Sequence, residues 1–520
     1  MIQKVLKPAV GYGRLIKTIF GRGPKGMIFY FAIALIPTWI LGNIFSFAAY
    51  NSGSMILGKL STLIKLFQLY MLIGGIYTLA TDWQDKEVED NGDLGRAKFE
   101  KDLAKSGLEG SKGGIVFGKR EDKLLEKESG KDGHIGIIGG SRTGKTSSNI
   151  IPTLLRWQGT GLAVDIKGEL SQKTAKYREN KMGNRVFVLD LTNPKVHYDP
   201  LKFIREFSDV LDMGATLIPI PPEIKEPYFK QTAQSILASA CWEFKDTKSF
   251  AELTRWICSN NFETIVETLQ KSEKPETKIL INVVEKVKET QKGLIFNELR
   301  NKLVTYAVDP SMQEITSSSD FTPESIEDSF IYLSIPEHKL DIYGDFLALI
   351  VTQFTRYLVT RQEYQNPPIL MALDEFPRLG KMDIVANSIG TLASRNVTMM
   401  IVFQSLANLD RNYGQETRKV IMDNLLYLVV HNATEVSSQE YFSKRAGNKT
   451  TQVQSLSQSE GYRNEQNFST SLQTVPLVRP EEFADLKQPI LFAYQVGIIQ
   501  MQRSFWFEDE EMKRHVELGA

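Results

Sequence analysis

The stretch His134-Ile-Gly-Ile-Ile-Gly-Gly-Ser-Arg-Thr-Gly-Lys-Thr146 constrains this chain more than any other. It contains Gly139-x4-Gly144-Lys145-Thr146 directly after the strand-like run Ile135–Ile138. Ser147–Trp157 then continues as a helix that Pro152 shortens or bends. A strand ending in a glycine-permitted loop that opens into a helix aims several backbone N–H groups and a helix dipole at one point. In such a loop Gly139, Gly140, Ser141, Arg142, Thr143, Gly144, Lys145 and Thr146 wrap a phosphate. Lys145 neutralises the β/γ-phosphates, and the Thr146 hydroxyl ligates Mg2+. With 37 glycines in 520 residues, the bare pattern arises by chance in roughly a few per cent of chains this long, and its context lowers that further. The expected ligands are ATP and Mg2+.

A phosphate loop needs an acidic partner on a neighbouring strand. Pro367-Pro368-Ile-Leu-Met-Ala-Leu-Asp374-Glu375 supplies a buried apolar strand closed by two acids. Asp374 is expected in the Mg2+ shell, and Glu375 is expected to polarise the attacking water, which marks a hydrolase and not a kinase. Two more strand ends belong to the same sheet: Gly161–Asp165, running into Ile166-Lys167-Gly168-Glu169, and Val397–Phe403, ending at Gln404-Ser405. Gln404 is placed to sense a γ-phosphate or orient water, or else caps its strand. Arg395 either reaches a neighbouring subunit's nucleotide as an arginine finger or is a solvated surface charge. The residue alone leaves both readings open.

At 520 residues the chain holds three or four structural units. Its 42% hydrophobic and 24% charged residues exclude wholesale disorder. Two cysteines, Cys241 and Cys258, exclude a disulfide scaffold and a cysteine zinc site, and both read as core residues. The five histidines (His134, His197, His338, His431, His515) are too scattered for a paired-histidine zinc site. Residues 1–81 carry eight Lys or Arg and no acid, which leaves 54 basic against 62 acidic residues, net −8, in the remainder. The body is therefore not a generally basic nucleic-acid binder, and any DNA contact has to come from local patches or an oligomeric channel.

Gly26–Gly58 has no charged residue, and Met27–Tyr50 alone is long enough to cross a bilayer. Leu66–Thr81 reaches spanning length if Lys65 snorkels. Lys4, Lys7, Arg14, Lys17, Arg22 and Lys25 precede the first span, whereas the intervening loop offers only Lys59 and Lys65. The excess of positive charge predicts a cytoplasmic N-terminus and a hairpin that returns the rest of the chain to the cytoplasm.

Further segments give the chain a family likeness: Leu94-Gly-Arg-Ala-Lys-Phe99, Ser148-Asn-Ile-Ile-Pro-Thr-Leu-Leu155, Asp165-Ile-Lys-Gly-Glu-Leu170, Tyr198-Asp-Pro-Leu201, Leu373-Asp-Glu-Phe-Pro-Arg-Leu-Gly380 and Gln404-Ser-Leu-Ala-Asn-Leu-Asp-Arg-Asn-Tyr-Gly414. In this order they resemble the type IV secretion coupling proteins, the TraG/TraD-like motors of conjugation and effector export. The likeness covers nearly the whole chain. Departures are Ile166, where the family usually has Pro, and the lack of a long acidic tail after Trp506-Phe-Glu-Asp-Glu-Glu511, which puts tail-mediated docking in doubt.

The resemblance implies an α/β, RecA-like P-loop ATPase with an inserted all-α domain and an N-terminal two-helix transmembrane hairpin, hexameric beneath the inner membrane. Its implied partners are DNA (expected single-stranded), a relaxase or effector proteins, and the subunits of the type IV secretion channel. The corresponding division is 1–26 basic N-terminus, 27–81 transmembrane hairpin, 82–113 linker to the motor, 114–200 first nucleotide-binding segment, 201–312 all-α domain and 313–520 second nucleotide-binding segment. The residues support the insert independently, with apolar positions at helical spacing (Phe203, Val210, Leu211, Ala215, Leu217; Ile236, Leu237, Cys241, Trp242). Asn448–Thr474, rich in Ser, Gln, Asn and Thr, reads as a flexible polar loop. Arg378, Lys381, Arg411, Arg418 and Lys419 are candidates for a channel wall, or equally a solvated face.

Three rivals share some of these features. A membrane-anchored hexameric DNA pump of chromosome or plasmid partition shares the loop, the acids and the anchor, but a helical insert of about 110 residues is not expected there. A scaffold binding nucleotide structurally has no need of Glu375. An ABC transporter lacks support because no LSGGQ-like signature precedes Asp374-Glu375.

Overall fold

The computed structural model describes residues 24–84, 95–102, 106–110, 113–221, 223–458 and 466–519. The chain forms two compact units: 1–93 with 454–471, and 94–453 with 472–520. The basic flank at Lys4, Lys7, Arg14, Lys17 and Arg22, and Leu94 of the linker segment, lie outside the described residues.

In the first unit, Pro24–Ser52 and Met55–Gln84 form two antiparallel helices joined by a turn at Gly53. The Ser61 hydroxyl donates to the Gly42 carbonyl at 3.1 Å and also bonds Ser46, which ties the two helices together through polar groups. Among the described residues no helix is long and apolar enough to cross a membrane. The helix pair forms where the hairpin is expected.

In chain order the strands are β1 (Gly114–Arg120), β2 (Lys123–Glu128), β3 (Ile135–Ile138), β4 (Thr160–Asp165), β5 (Arg185–Asp190), β6 (Ser329–Ser334), β7 (Ile369–Leu373), β8 (Val397–Phe403), β9 (Tyr427–Val430), β10 (Asn448–Gln458), β11 (Gln466–Pro476), β12 (Ile490–Ala493) and β13 (Gly497–Gln500). Nine of them, all in the second unit, form one sheet in the order β13-β12-β9-β3-β8-β7-β4-β6-β5. The seven strands from β9 to β5 are parallel, and β12 and β13 extend the β9 edge in antiparallel fashion. Strands β4, β6, β7 and β8 are buried along their whole length, as expected of continuous apolar runs covered by helices on both faces. Because the strands are parallel, the ends of β3, β7 and β8 open on the same edge, where a ligand crevice belongs.

Several family-like segments turn out to be joints. Asn149 Nδ2 donates to the carbonyls of Val116 and Phe117, and the Val116 amide donates to Thr153 Oγ1, which clamps the β1–β2 hairpin over the helix that follows the phosphate loop. Gly95 passes the carbonyl of Asn448 so closely that a Cβ there would lie 2.3 Å from its oxygen. Tyr198 is fully buried among Phe203, Phe321 and Phe354, and its hydroxyl donates to Gln353.

Asp199 Oδ1 accepts the amides of Leu201 and Phe250, so one carboxylate caps two helices, while Oδ2 is buried without a partner. Burial raises this carboxyl to about 6. With the folded value above the unfolded one of about 3.9, the stability Asp199 offers is intact below roughly pH 4 and lost as the pH rises through 6. Asp199→Asn keeps an acceptor for both amides and removes the buried charge. It should melt a few degrees above wild type at pH 7, with the gain shrinking towards pH 4; an equal gain at both pH values would rule out the charge as its cause.

Between β5 and β6 all the described elements are helical, the longest being Tyr228–Phe244 and Glu289–Val308. Val210, Leu217, Ile236, Leu237 and Cys241 are buried in a core continuous with that of the sheet, and Cys258 packs against it. Leu211, in register with these positions, is instead exposed. The polar segment 448–474 is corrected more fundamentally. Its described residues are strands: β10 and β11, each of 11 residues, pair as a two-stranded sheet. The ladder is made by backbone groups, and threonine suits strands, so a ribbon needs no apolar run to form.

Candidate active site

At the crevice edge, Ser141–Ser147, Asp165–Lys167, Glu169, Leu170, Glu337, Asp374, Glu375, Gln404, Phe505 and Phe507 line a cleft of about 630 Å³. The phosphate loop, the acidic pair and Gln404 therefore meet in one place. Gly144 (φ +92°) and Arg142 (φ +62°) take left-handed turns that bend the loop back on itself. Lys145 is nearly buried, and its Nζ donates to the carbonyls of Gly139 (2.6 Å) and Gly140 (2.8 Å). Desolvation lowers its pKa, while Glu375 and Asp374 favour its charge.

After the loop, Thr146–Ile150 winds as a wide π-helical turn before the helix Ile151–Arg156. Pro152 has no N–H to give the carbonyl four residues back. That carbonyl, Ser148 O, accepts the Ser504 hydroxyl at 2.9 Å.

Asp374 and Glu375 follow β7 directly. Burial, and then the charge of Glu375, lifts the Asp374 carboxyl to about 7, with Lys145 pulling it back. Glu375 sits in the left-handed region (φ 50°, ψ 42°), sparsely populated for a residue with a side chain. There Gln404 Nε2 donates to both carboxylate oxygens, at 3.3 and 3.2 Å. Since β8 lies between β3 and β7, Gln404 stands between the loop and the acids.

Asp165 is tied up otherwise: it accepts the amides of Leu170 and Ser171 and the Ser171 hydroxyl, capping the helix Glu169–Asn180. Arg395 is not brought to this cleft. It precedes β8 at the opposite edge, roughly 20 Å of strand from Gln404, with its guanidinium 3.9 Å from Glu363.

The donors fit nucleotide and Mg2+. The hydroxyl of Thr146 and the carboxylate of Asp374 are hard oxygen donors in one cleft. Among the described residues no group of three or more His, Cys, Asp or Glu could hold a metal by itself. Mg2+ characteristically keeps waters and phosphate oxygens and takes only one or two protein ligands.

The sequence does not reveal the residues that brace the loop from afar. The Gly140 amide donates to Asn432 Oδ1 at 2.8 Å. Beside it, His431 is held near pKa 3, first by burial and then by Arg503 and Lys145, so it is neutral. Its Nε2 lies 2.7 Å from Asn149 Oδ1, and because the Asn149 amide nitrogen is spent on two carbonyls, the histidine donates. Arg503 Nε donates to Thr143 O at 3.0 Å while its other nitrogens hold Lys487 O and Leu486 O. The aromatic run Ser504-Phe-Trp-Phe507 is the one signal in the sequence that points to this wall.

A mixed sheet with a parallel core, a phosphate loop at its crevice and an acid pair one strand away define a RecA-like P-loop nucleotide-binding protein. The chain belongs to the family described as type IV secretory system conjugative DNA transfer, whose model matches residues 87–518. It is similar to protein VirD4 of Rhizobium rhizogenes (25% identical over 447 residues, 78% of this chain and 64% of that protein). It is also similar to the conjugal transfer protein TraG of Agrobacterium fabrum (21% over 513 residues, 88% and 77%). The matches thus take in under two thirds of VirD4's own length. In fold it is similar to the plasmid coupling protein TrwB, solved in complex with the ATP analogue ADPNP (TM-score 0.61, 16% identity, 80% of this chain and 97% of that one) and with ADP and Mg2+ (TM-score 0.60).

Proposed function

We propose that this chain is the coupling ATPase of a type IV secretion or conjugation system, which takes up a relaxase–DNA complex or effector protein and drives its transfer by hydrolysing ATP. The observation that carries the hydrolytic step is Glu375 held by Gln404 in the cleft of Lys145 and Thr146. Bound Mg2+ and triphosphate supply the electrophilic phosphorus. Lys145 neutralises phosphate charge, and Thr146 and Asp374 give the protein's donors to the metal. Glu375 accepts the proton of the attacking water, and Gln404 fixes the carboxylate's orientation. The partition pump is not the family to which the chain belongs.

The assembly is a homohexamer, with Arg395 of each subunit directed to its neighbour's nucleotide. The position of Arg395 at the far edge of its own sheet supports a role in trans. DNA gripping by a basic wall gains less support: Arg378 is paired with Glu337 and Asp341, Lys381 with Asp383, Arg418 with Asp410 and Lys419 with Glu416. Only Arg411, of those five, has no ion pair among the described residues. The test of the function is the ATPase rate of detergent-purified full-length protein with and without single-stranded DNA. Stimulation of several-fold is expected, and a rate indifferent to DNA, with no DNA binding, would assign the motor to protein effectors alone.

The helix pair is the inner-membrane anchor, with the bulk of the chain in the cytoplasm. Its support is apolar surface without protein partners, including Trp39, Phe47, Met55, Ile56 and Leu63, all more than 60% exposed. A reporter fused after Asn51 should lie outside the membrane, and reporters after Lys17 and Asp93 inside. A cytoplasmic signal from the Asn51 fusion would remove the hairpin.

A further inference from the structure

One wall of the cleft takes no part in the phosphate chemistry. Phe505 and Phe507 stack there, ring centroids 5.1 Å apart and planes 16° from parallel. Phe505 is wedged on the phosphate loop, so close that a Cβ on Gly144 would sit 2.8 Å from its ring. Phe507 is the outer ring and is 49% exposed.

The segment that carries them is anchored on both sides. Before it, Arg503 and Ser504 bond the loop and its helix. Between the two rings, Trp506 turns away to meet the Lys173 ammonium, 4.6 Å from its ring. After it, the helix Glu510–Gly519 is fastened by buried Met512 and by His515 stacked on Tyr177 at 4.2 Å. A flat apolar ring is thus held in place beside a phosphate site with one side facing solvent.

We infer that Phe505 and Phe507 form a platform on which the base of the bound nucleoside triphosphate stacks. The inference rests on the nucleotide-site reading above. Stacking engages the π-face, which every base has, and is therefore tolerant of base identity.

Calorimetry on the detergent-solubilised full chain with Mg2+ tests this, using ATP, GTP and inorganic tripolyphosphate as ligands. ATP and GTP should each bind roughly tenfold or more tighter than tripolyphosphate, as one stacked base provides. Phe507→Ala should weaken ATP and GTP by about tenfold and leave tripolyphosphate unchanged, and Phe507→Trp should restore both. Tripolyphosphate binding as tightly as ATP, or an Ala variant with wild-type ATP affinity, would overturn the platform while leaving the phosphate site intact. So would an equal loss of ATP and tripolyphosphate, since the pair would then only support the loop. Wild-type protein that binds neither triphosphate nor tripolyphosphate would instead sink the nucleotide-site reading itself.

Discussion

Glu375→Gln should bind ATP and leave it intact. The amide is nearly isosteric, so the turn at φ 50° and the neighbouring Asp374 are undisturbed, but it cannot accept a proton from water. Loss of a positioned general base typically costs 10²–10⁴-fold in rate, and the expected fall in kcat is of that order. Removing the Glu375 charge also relieves Asp374, whose carboxyl is held near 7 partly by that charge. Mg2+–nucleotide should therefore bind at least as well as in wild type. Nucleotide affinity and single-turnover hydrolysis, measured together, decide the matter. Turnover near the wild-type rate would assign water activation elsewhere.

Lys145→Ala should fail earlier, at binding. The ammonium does two things in the cleft: it bonds the carbonyls of Gly139 and Gly140, and it is the cation facing Asp374 and Glu375. Without it the loop loses its internal brace, and the two carboxylates repel the incoming phosphates with less charge to offset them. Hydrolysis should fall below detection and ATP affinity by at least about tenfold, with the melting temperature near wild type because the β3 core is untouched. Wild-type nucleotide affinity in this variant would remove Lys145 from the site.

The elements of the site that can be read in advance are those encoded within a few residues of one another. Gly139–Thr146 carries its own turn chemistry, and Asp374-Glu375 and Gln404 each sit where an apolar run stops, so strand ends and reactive groups are found together. Asn432 and Arg503 have no such local signature: each hydrogen-bonds the loop from a segment distant in sequence. The same reason hides the role of Asp199, whose two capped amides lie at Leu201 and Phe250. The β10–β11 ribbon escapes a reading by composition because composition reports burial, and a ladder formed by backbone groups needs none.

Thr143 and the Arg503 that secures it are 360 residues apart in sequence. During synthesis the phosphate loop therefore leaves the ribosome 360 residues ahead of its brace. Until then the loop has its own internal bonds but neither the arginine clamp, nor the Ser504 bond to the helix, nor the ring lying on Gly144. A nascent chain that stops short of Arg503 can thus carry every strand of the nine-stranded sheet while its phosphate loop is still unclamped.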